Sequence, residues 1–257
     1  RAAMTATTLL RRAAAILFIT AAATAADPAL NSGEARPAEA RYENGRRTRD
    51  GIGKYYFGRE ISQVMGHQGA GWLERPEREV EERTDLLLDA LKLRPGDAVA
   101  DVGAGSGYFT WRMARVVGPK GVVHAVEIQQ LFLDLLMANM QRRGVADRIR
   151  PVLGTVQDPR LPEGSCDLIL LVDVYHELDF PFEMARAMIR ALKPGGQVVV
   201  VEFDRIPGKS PQWILDHVRA GQEEVAKEIT AAGFELVEAS HPSFLSENYV
   251  LRFRKRE

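Results

Sequence analysis

The feature that most constrains the fold is a glycine-rich turn that directly follows a short apolar run. Residues 98–102 read Ala-Val-Ala-Asp-Val, and glycine then occupies alternate positions over 103–107. An apolar run bounded by such a turn predicts a buried parallel strand. Residues 108–117 are amphipathic and predict a helix whose free N–H groups face the turn. Glycine lets a ligand approach the backbone closely, so this unit predicts a ligand-binding cradle.

The spacing of the glycines separates two classes of ligand. Dinucleotide-binding turns have the pattern G-x-G-x-x-G. This chain instead has D-x-G-x-G-x-G, formed by Asp101, Gly103, Gly105 and Gly107, and Tyr108 stands where the dinucleotide pattern has its third glycine. The pattern resembles motif I of the class I S-adenosylmethionine (SAM) dependent methyltransferases. The resemblance implies that these four residues bind SAM, whose amino-acid tail and ribose carry no phosphate.

Further motifs extend this resemblance. Glu127 ends a predicted strand about twenty residues after the glycines, where an acidic residue binds ribose hydroxyls in Rossmann-like sites. Ile128 is then expected to pack near the adenine. Asp158, ahead of a Leu-Pro pair, resembles the family's adenine-binding carboxylate; the alternative is a turn before Pro159. The sequence Leu-Lys-Pro-Gly-Gly over 192–196 is similar to motif III.

A polar group follows the next apolar strand, which is predicted over residues 167–172. Ligands of parallel α/β sheets lie beyond the carboxyl ends of the strands. We therefore expect Asp173 to line the methionine end of SAM, and Tyr175, His176 and Glu177 to face the methyl acceptor. His176 is the candidate general base if the acceptor must lose a proton, because histidine titrates near neutrality. The alternative is that Tyr175 and His176 only pack structurally.

The residues before position 76 fall into three predicted segments. Residues 1–26 combine paired arginines, a short apolar run and a small-x-small site, which predicts a signal-peptide-like segment. Processing would place the protein in the periplasm, and an unprocessed chain would stay cytoplasmic. Residues 27–50 predict a linker or disordered arm. Residues 51–75 predict a lid with a short helix over 59–65, in which His67 and Trp72 face the substrate; the alternative is a fixed surface layer.

The composition of the chain limits the kinds of partner that we expect it to bind. The net charge is −1, so general nucleic-acid binding is not expected. Cys166 is the single cysteine, which excludes an intramolecular disulfide and a cysteine-based zinc site, and no metal site is predicted. The N-terminal apolar run is too short for a stable membrane span. The sequence does not indicate an oligomeric state.

Residues 76–257 are predicted to form one class I methyltransferase domain that begins with a helix over 76–91. The expected fold is a Rossmann-like, seven-stranded, mostly parallel sheet with an antiparallel terminal hairpin and helices on both faces. The expected function is methyl transfer from SAM to a small-molecule acceptor. Two alternatives stay open, a non-catalytic SAM-binding module and an NAD-linked oxidoreductase; Tyr108 argues against the second.

Overall fold

The computed structural model describes residues 42–256. The predicted signal-like segment and most of the predicted arm lie outside the described residues. The strands are β1 Tyr42–Asn44, β2 Gly51–Tyr56, β3 Arg59–Ser62, β4 Ala98–Val102, β5 Val122–Glu127, β6 Ile149–Leu153, β7 Cys166–Val172, β8 Leu192–Phe203, β9 Phe234–Ser240 and β10 Asn248–Lys255. The helices are α1 Ala70–Leu73, α2 Arg78–Glu81, α3 Thr84–Leu91, α4 Thr110–Val117, α5 Gln130–Arg142, α6 Pro181–Ala191, α7 Gln212–His217 and α8 Gln222–Ala231.

Seven strands form the central sheet, in the order β6-β5-β4-β7-β8-β10-β9. The five strands β6, β5, β4, β7 and β8 are parallel, whereas β10 is antiparallel to both of its neighbours. The strand order reverses between β4 and β7, because β5 and β6 extend the sheet on one side of β4 and the later strands extend it on the other. Such a reversal opens a crevice beyond the carboxyl ends of the strands. The predicted fold class is confirmed.

Two hydrophobic cores cover the two faces of this sheet. Alternate residues of each strand point to opposite faces, so Ala100 and Ile169 belong to one core and Val99 and Leu168 to the other. Helices α6 and α8 pack on the first face, and α3, α4 and α5 pack on the second. Strands covered on both faces are largely apolar, and β7 and β8 accordingly contain the continuous apolar runs 168–172 and 198–201.

The predicted helix over residues 76–91 is wrong as a single element. The chain forms two short helices, α2 and α3, because Arg83 adopts a left-handed conformation with φ of 39° between them. Val80 in α2 is 77% exposed. Farther along the chain, α7 forms and buries Ile214 beneath it.

The segment before the domain is also built differently from the prediction. Strands β1, β2 and β3 form a separate antiparallel sheet, so the helix predicted over 59–65 is wrong. A two-residue turn joins β2 to β3; its residues Phe57 and Gly58 have φ of 50° and 83°, and such positive angles favour a tight hairpin. Residues 42–44 of the predicted arm form the edge strand β1.

This sheet is attached to the domain by a buried ion pair. Arg59 donates from Nε and Nη2 to the two carboxylate oxygens of Glu228 in α8, each at 2.7 Å. Both side chains are nearly inaccessible to water. Within the described part of the chain, residues 42–256, no helix is both long and apolar enough to cross a membrane.

Candidate active site

One cavity of about 670 Å³ opens at the carboxyl ends of β4, β5, β7 and β8. Its walls come from the glycine turn, the ends of these strands, the segment after β3 and helix α7. Members that matter below are Met65, Trp72, Arg78, Asp101, Gly103, Gly105, Glu127, Ile128, Thr155, Asp173, His176, Glu177, Phe203, Trp213 and His217. The cavity therefore lies where the reversal of strand order predicts a ligand.

The glycines of the turn have two different roles. Gly103 has φ of 75°, and a Cβ atom there would lie 2.5 Å from Cγ2 of Val174. Gly105 has φ of 52° and also lines the cavity. Gly107 does not line it, because its backbone packs against α5, where a Cβ atom would lie 2.7 Å from Met140. The structure thus gives Gly107 a role in close helix packing, and its predicted cofactor contact stays a prediction.

Glu127 ends β5 with its carboxylate held by the backbone. Oε1 accepts hydrogen bonds from the N–H groups of Ile128 at 2.8 Å and Gln129 at 3.1 Å, and Oε2 accepts one from Gly105 at 3.1 Å. A carboxylate has about four acceptor sites, so the one that is left, on Oε2, is free for a neighbouring hydroxyl. Ile128 lies beside it in the cavity wall and is 37% exposed.

Two further carboxyl groups face the same end of the cavity. Asp101 accepts a hydrogen bond from Thr110 at 2.6 Å, but burial outweighs that bond and raises the pKa of Asp101 to about 6. Burial and the neighbouring Glu82 carboxylate raise the pKa of Asp173 well above its usual range. Oδ1 of Asp173 accepts a bond from Asn248, while Oδ2 is buried with no partner within the described chain.

These groups fit SAM. The cofactor carries a sulfonium and an ammonium group, and a buried, unpartnered carboxylate oxygen is the complement of such a cation. Burial likewise raises the pKa of Glu127, despite its backbone hydrogen bonds. Asp101, Asp173 and Glu127 therefore all have raised pKa values at the same end of the cavity. A cationic ligand bound there would stabilise their ionised forms.

Arg78 is a site residue that the sequence did not reveal. Its guanidinium is buried, donates to Glu82 at 2.8 Å and to the carbonyl of Leu73 at 3.1 Å, and lies 4.1 Å from the ring centre of Tyr108. It also lines the cavity. An arginine in a stretch dense in charged residues is typical of a solvated helix surface, so only the packing of α2 onto the cavity reveals the role of Arg78.

Asp158 lies outside the cavity. Its side chain accepts a hydrogen bond from the backbone of Arg160 and forms an exposed ion pair with Arg190. The structure therefore agrees with the turn alternative and contradicts the predicted adenine contact. Thr155, three residues earlier, lines the cavity instead. The loop folds back so that Thr155 and Asp158 are hydrogen-bonded to each other, and Thr155 is the one of the two that reaches this cavity.

At the other end of the cavity, two histidines and a glutamate converge. His176 lies in a 3₁₀ turn after β7 and is 3% exposed; its Nδ1 lies 2.8 Å from Oε2 of the buried Glu202. His217 ends α7, and its Nδ1 lies 2.7 Å from Oδ2 of Asp50. Nε2 of His217 lies 3.4 Å from Oε1 of Glu177, and Met65 donates its N–H to the same oxygen. The two imidazole rings meet edge to face at 4.9 Å.

The environment of His217 favours its charged form. Burial alone would lower the pKa of His217, but the hydrogen bonds to Glu177 and Asp50 outweigh burial and raise it. A positive charge, or a cation in its place, therefore belongs between these carboxylates. Sequence reasoning missed His217 and Asp50, because they lie far from His176 along the chain and in a predicted loop and linker.

Tyr175 does not face the acceptor. Its side chain is 1% exposed and points into the core, where its hydroxyl donates to Glu228 at 2.9 Å. This contradicts its predicted catalytic role and agrees with the packing alternative. Two consecutive residues of a tight turn point in different directions, so only His176 of this pair reaches the cavity.

The predicted lid contributes one of its two candidate residues. Trp72 lines the cavity, is 41% exposed and stacks on the guanidinium of Arg75 at 3.9 Å. His67 is exposed at the surface and is not part of the cavity wall. Gln129 bonds the carbonyl of Met65 at 2.8 Å, which connects this segment to the end of β5.

Comparison with known proteins agrees with this geometry. Residues 99–196 match a family model described as a methyltransferase domain. A solved SAM-dependent methyltransferase from Aquifex aeolicus superposes with a TM-score of 0.67 at 19% identity, covering 74% of this chain and 98% of its own. Residues 99–196 thus match a methyltransferase domain, and the chain has the fold of the SAM-dependent methyltransferases; the cofactor that this similarity implies is S-adenosyl-L-methionine.

The proteins that this chain resembles are named for different reactions. A ubiquinone/menaquinone biosynthesis C-methyltransferase UbiE from Vibrio vulnificus (strain YJ016) is 29% identical over 120 residues, which is 47% of this chain and 46% of that protein. The chain spans about half the length of the curated relatives it matches. A structure titled as the [4+2]-cyclase SpnF has a TM-score of 0.58 at 19% identity, over 67% of this chain and 80% of its own.

Proposed function

We propose that this protein transfers a methyl group from SAM to a small-molecule acceptor bound beside His176. The observation that carries the proposal is one continuous cavity, which joins the glycine turn and Glu127 at one end to His176, Glu177 and His217 at the other. When bound, SAM supplies a methyl group already activated on its sulfonium. The protein then has to align donor and acceptor and exclude water.

The residues at the first end are suited to hold the cofactor. Glu127 would accept a bond from a ribose hydroxyl, because its carboxylate is already oriented by three backbone N–H groups. The unpartnered Oδ2 of Asp173 would face the positive charge. Arg78 is a buried cation in the cavity wall that could bind the cofactor's carboxylate, because a planar guanidinium recognises a carboxylate well.

The end of the cavity that holds His176 and His217 favours a planar, largely apolar acceptor. Phe203 and Trp213 line it and contact each other edge to face, with ring centres 4.9 Å apart. Aromatic rings bind flat apolar bodies, and the histidine–glutamate group beside them suits an ionisable hydroxyl. The C-methyltransferase names of the curated relatives are consistent with an acceptor of this kind.

His176 is the group proposed to accept the acceptor's proton. Because Nδ1 faces the carboxylate of Glu202 at 2.8 Å, that nitrogen carries the proton and Nε2 keeps its lone pair. A carboxylate that orients an imidazole and stabilises its charged form is a known way to make a histidine act as a base.

The test is an acceptor screen in which S-adenosylhomocysteine release is measured with pools of phenolic and quinol compounds. Once an acceptor is found, His176→Ala should lower turnover by about 10²–10⁴-fold with little change in SAM affinity. Tyr175→Phe is the matched control, because Tyr175 points into the core; its turnover per folded molecule should equal that of the wild type. Equal losses in both variants would contradict the assignment.

A binding function without methyl transfer is the second candidate. The fold similarity to a structure titled as a cyclase favours keeping it, since one fold hosts different chemistries. Tight SAM binding without S-adenosylhomocysteine release from any pool would support it. Binding of NAD in place of SAM would instead support the oxidoreductase alternative.

A further inference from the structure

We propose that His176, Glu177 and His217 together bind one divalent transition-metal ion, of the zinc type, in the wall of the cavity. The proposal concerns metal binding as such and does not depend on methyl transfer. Each of the three side chains offers one ligand atom, and these atoms all lie within 4.8 Å of one another.

The distances suit a metal after a small adjustment of side chains. Bonds of about 2.0–2.1 Å to nitrogen and oxygen place tetrahedral ligand atoms about 3.3–3.5 Å apart. Nε2 of His217 and Oε1 of Glu177 are 3.4 Å apart, which already meets this separation. The ligand atom of His176 lies within 4.8 Å of the other two, so a small inward shift of the side chains would bring all three to one ion.

The strongest support comes from the groups behind the two histidines. Metal-binding histidines nearly always donate the second ring N–H to a carboxylate or carbonyl, which fixes the tautomer and the ring orientation. Both histidines have this arrangement, because Nδ1 of His176 lies 2.8 Å from Glu202 and Nδ1 of His217 lies 2.7 Å from Asp50. Both rings therefore keep Nε2 for a ligand in the cavity.

The contact between His217 and Glu177 also requires a cation. When Nδ1 of His217 donates to Asp50, the lone pair of Nε2 points toward a carboxylate oxygen at 3.4 Å, which is repulsive. Either a proton or a metal ion has to lie between them. The same Glu177 oxygen accepts the N–H of Met65 at 3.1 Å, so the carboxylate is held in place for either occupant.

The donor types select the class of metal. Two imidazoles and one carboxylate suit zinc, cobalt, nickel or iron, whereas magnesium and calcium prefer oxygen ligands alone. Three protein ligands leave at least one coordination position open, as in catalytic zinc sites. All three residues line the cavity, so the open position would face the acceptor's place.

A bound metal would change how the acceptor is activated, and this consequence rests on the proposed methyl transfer. With Nε2 of His176 bound to metal, its lone pair is no longer available to a proton. A hydroxyl on the open position would lose its proton to solvent, since a divalent metal strongly lowers the pKa of a bound oxygen ligand.

The experiment is titration of the purified, chelator-treated protein with Co²⁺, followed by visible absorption, and with Zn²⁺, followed by calorimetry. We expect one metal ion per chain and the release of protons on binding. The visible absorption should be typical of Co²⁺ bound by a small number of nitrogen and oxygen ligands. His176→Gln and His217→Gln should each weaken Zn²⁺ binding at least tenfold. Asp50→Asn, which removes a positioning residue, should weaken it about 10–100-fold.

The matched control is His241→Gln. His241 also pairs with a carboxylate, with Nε2 at 3.1 Å from Asp204, but it stands at the surface outside the three-residue group. Its substitution should leave Zn²⁺ affinity unchanged. SAM calorimetry on every sample checks folding; a variant that does not fold is replaced by Glu177→Gln, which should also lose at least tenfold.

Two outcomes would overturn the proposal. One is the absence of stoichiometric binding, which would mean that a proton occupies the space between His217 and Glu177. The other is Zn²⁺ binding that is equal in the wild type and the His176→Gln/His217→Gln double variant. Zinc binding without any SAM turnover would support the metal site while the methyl-transfer proposal fails, so the two failures are distinguishable.

Discussion

Glu127 and Asp158 are two carboxylates that the sequence assigns to the same cofactor and that the structure places apart. Glu127 lines the cavity, whereas Asp158 pairs with Arg190 at the surface. Glu127→Ala should therefore weaken SAM binding by about 1–3 kcal/mol, because a charged hydrogen-bond acceptor for the ribose is lost. Asp158→Ala should leave it unchanged. Calorimetry of both variants is the measurement, and a loss only in Asp158→Ala would reverse the assignment.

Asp101 makes the stability of the ligand-free protein depend on pH. Burial raises the pKa of Asp101 to about 6, above its value in the unfolded chain. The folded state thus binds more protons than the unfolded state between about pH 4 and 6, and stability falls as pH rises through that window. The contribution is up to about 3 kcal/mol.

Asp101→Asn tests this pH dependence, because the amide keeps an acceptor for Thr110 without a charge. Urea denaturation at several pH values should show that the variant loses the decline between about pH 4 and 6. SAM should bind the wild type more tightly as pH rises through this range, because the cationic cofactor favours the ionised carboxylate. An identical pH profile in both proteins would disprove the role of Asp101.

At the scale of elements, a buried ion pair between Arg59 and Glu228 helps to hold the three-stranded sheet of β1–β3 on the domain. Arg59→Ala should lower the free energy of unfolding by about 3–5 kcal/mol, because it leaves the Glu228 carboxylate buried and uncompensated. The double variant Arg59→Met/Glu228→Gln should recover most of that loss. Chemical denaturation gives both values; a single variant with wild-type stability would show that the pair contributes nothing.

The cover of the cavity is a second property of elements. Residues 51–62 belong to the attached sheet, whereas residues 64–75 hold the cavity-lining Met65 and Trp72 through a few hydrogen bonds. We expect hydrogen exchange of 64–75 to slow when SAM is added and that of 51–62 to stay unchanged. Equal protection of 64–75 with and without SAM would make it a fixed layer, the alternative to a lid.

At the scale of the whole molecule, the sequence was most informative where the determinants are local. The glycine turn, the acidic end of β5 and the apolar strands each follow from residues a few positions apart, because strand burial and turn conformation are short-range properties. The topology follows from the same pattern, since strands alternating with helices favour parallel crossovers. The predicted sheet and its terminal antiparallel pair were therefore confirmed.

The sequence alone failed where two distant segments have to meet. Arg83 in a left-handed conformation divides a helix that periodicity predicts as continuous, and the strand pairing of residues 59–62 overrides a helical pattern. Asp158 and Gly107 matched a family pattern but serve the turn and the helix packing of their own surroundings. The local sequence specifies the type of each residue. The packing of the elements decides the direction in which its side chain points.

The residues of the second cavity end show the same division most clearly. The sequence by itself determined the strand, the glycine cradle, Glu127 and a polar turn containing His176 and Glu177. Only the tertiary structure decided that His217 from α7, Glu202 from β8 and Asp50 from the loop after β1 surround that turn. The physical reason is that a site built from side chains of four separate elements is specified by the packing of those elements, and no local spacing in the chain records it.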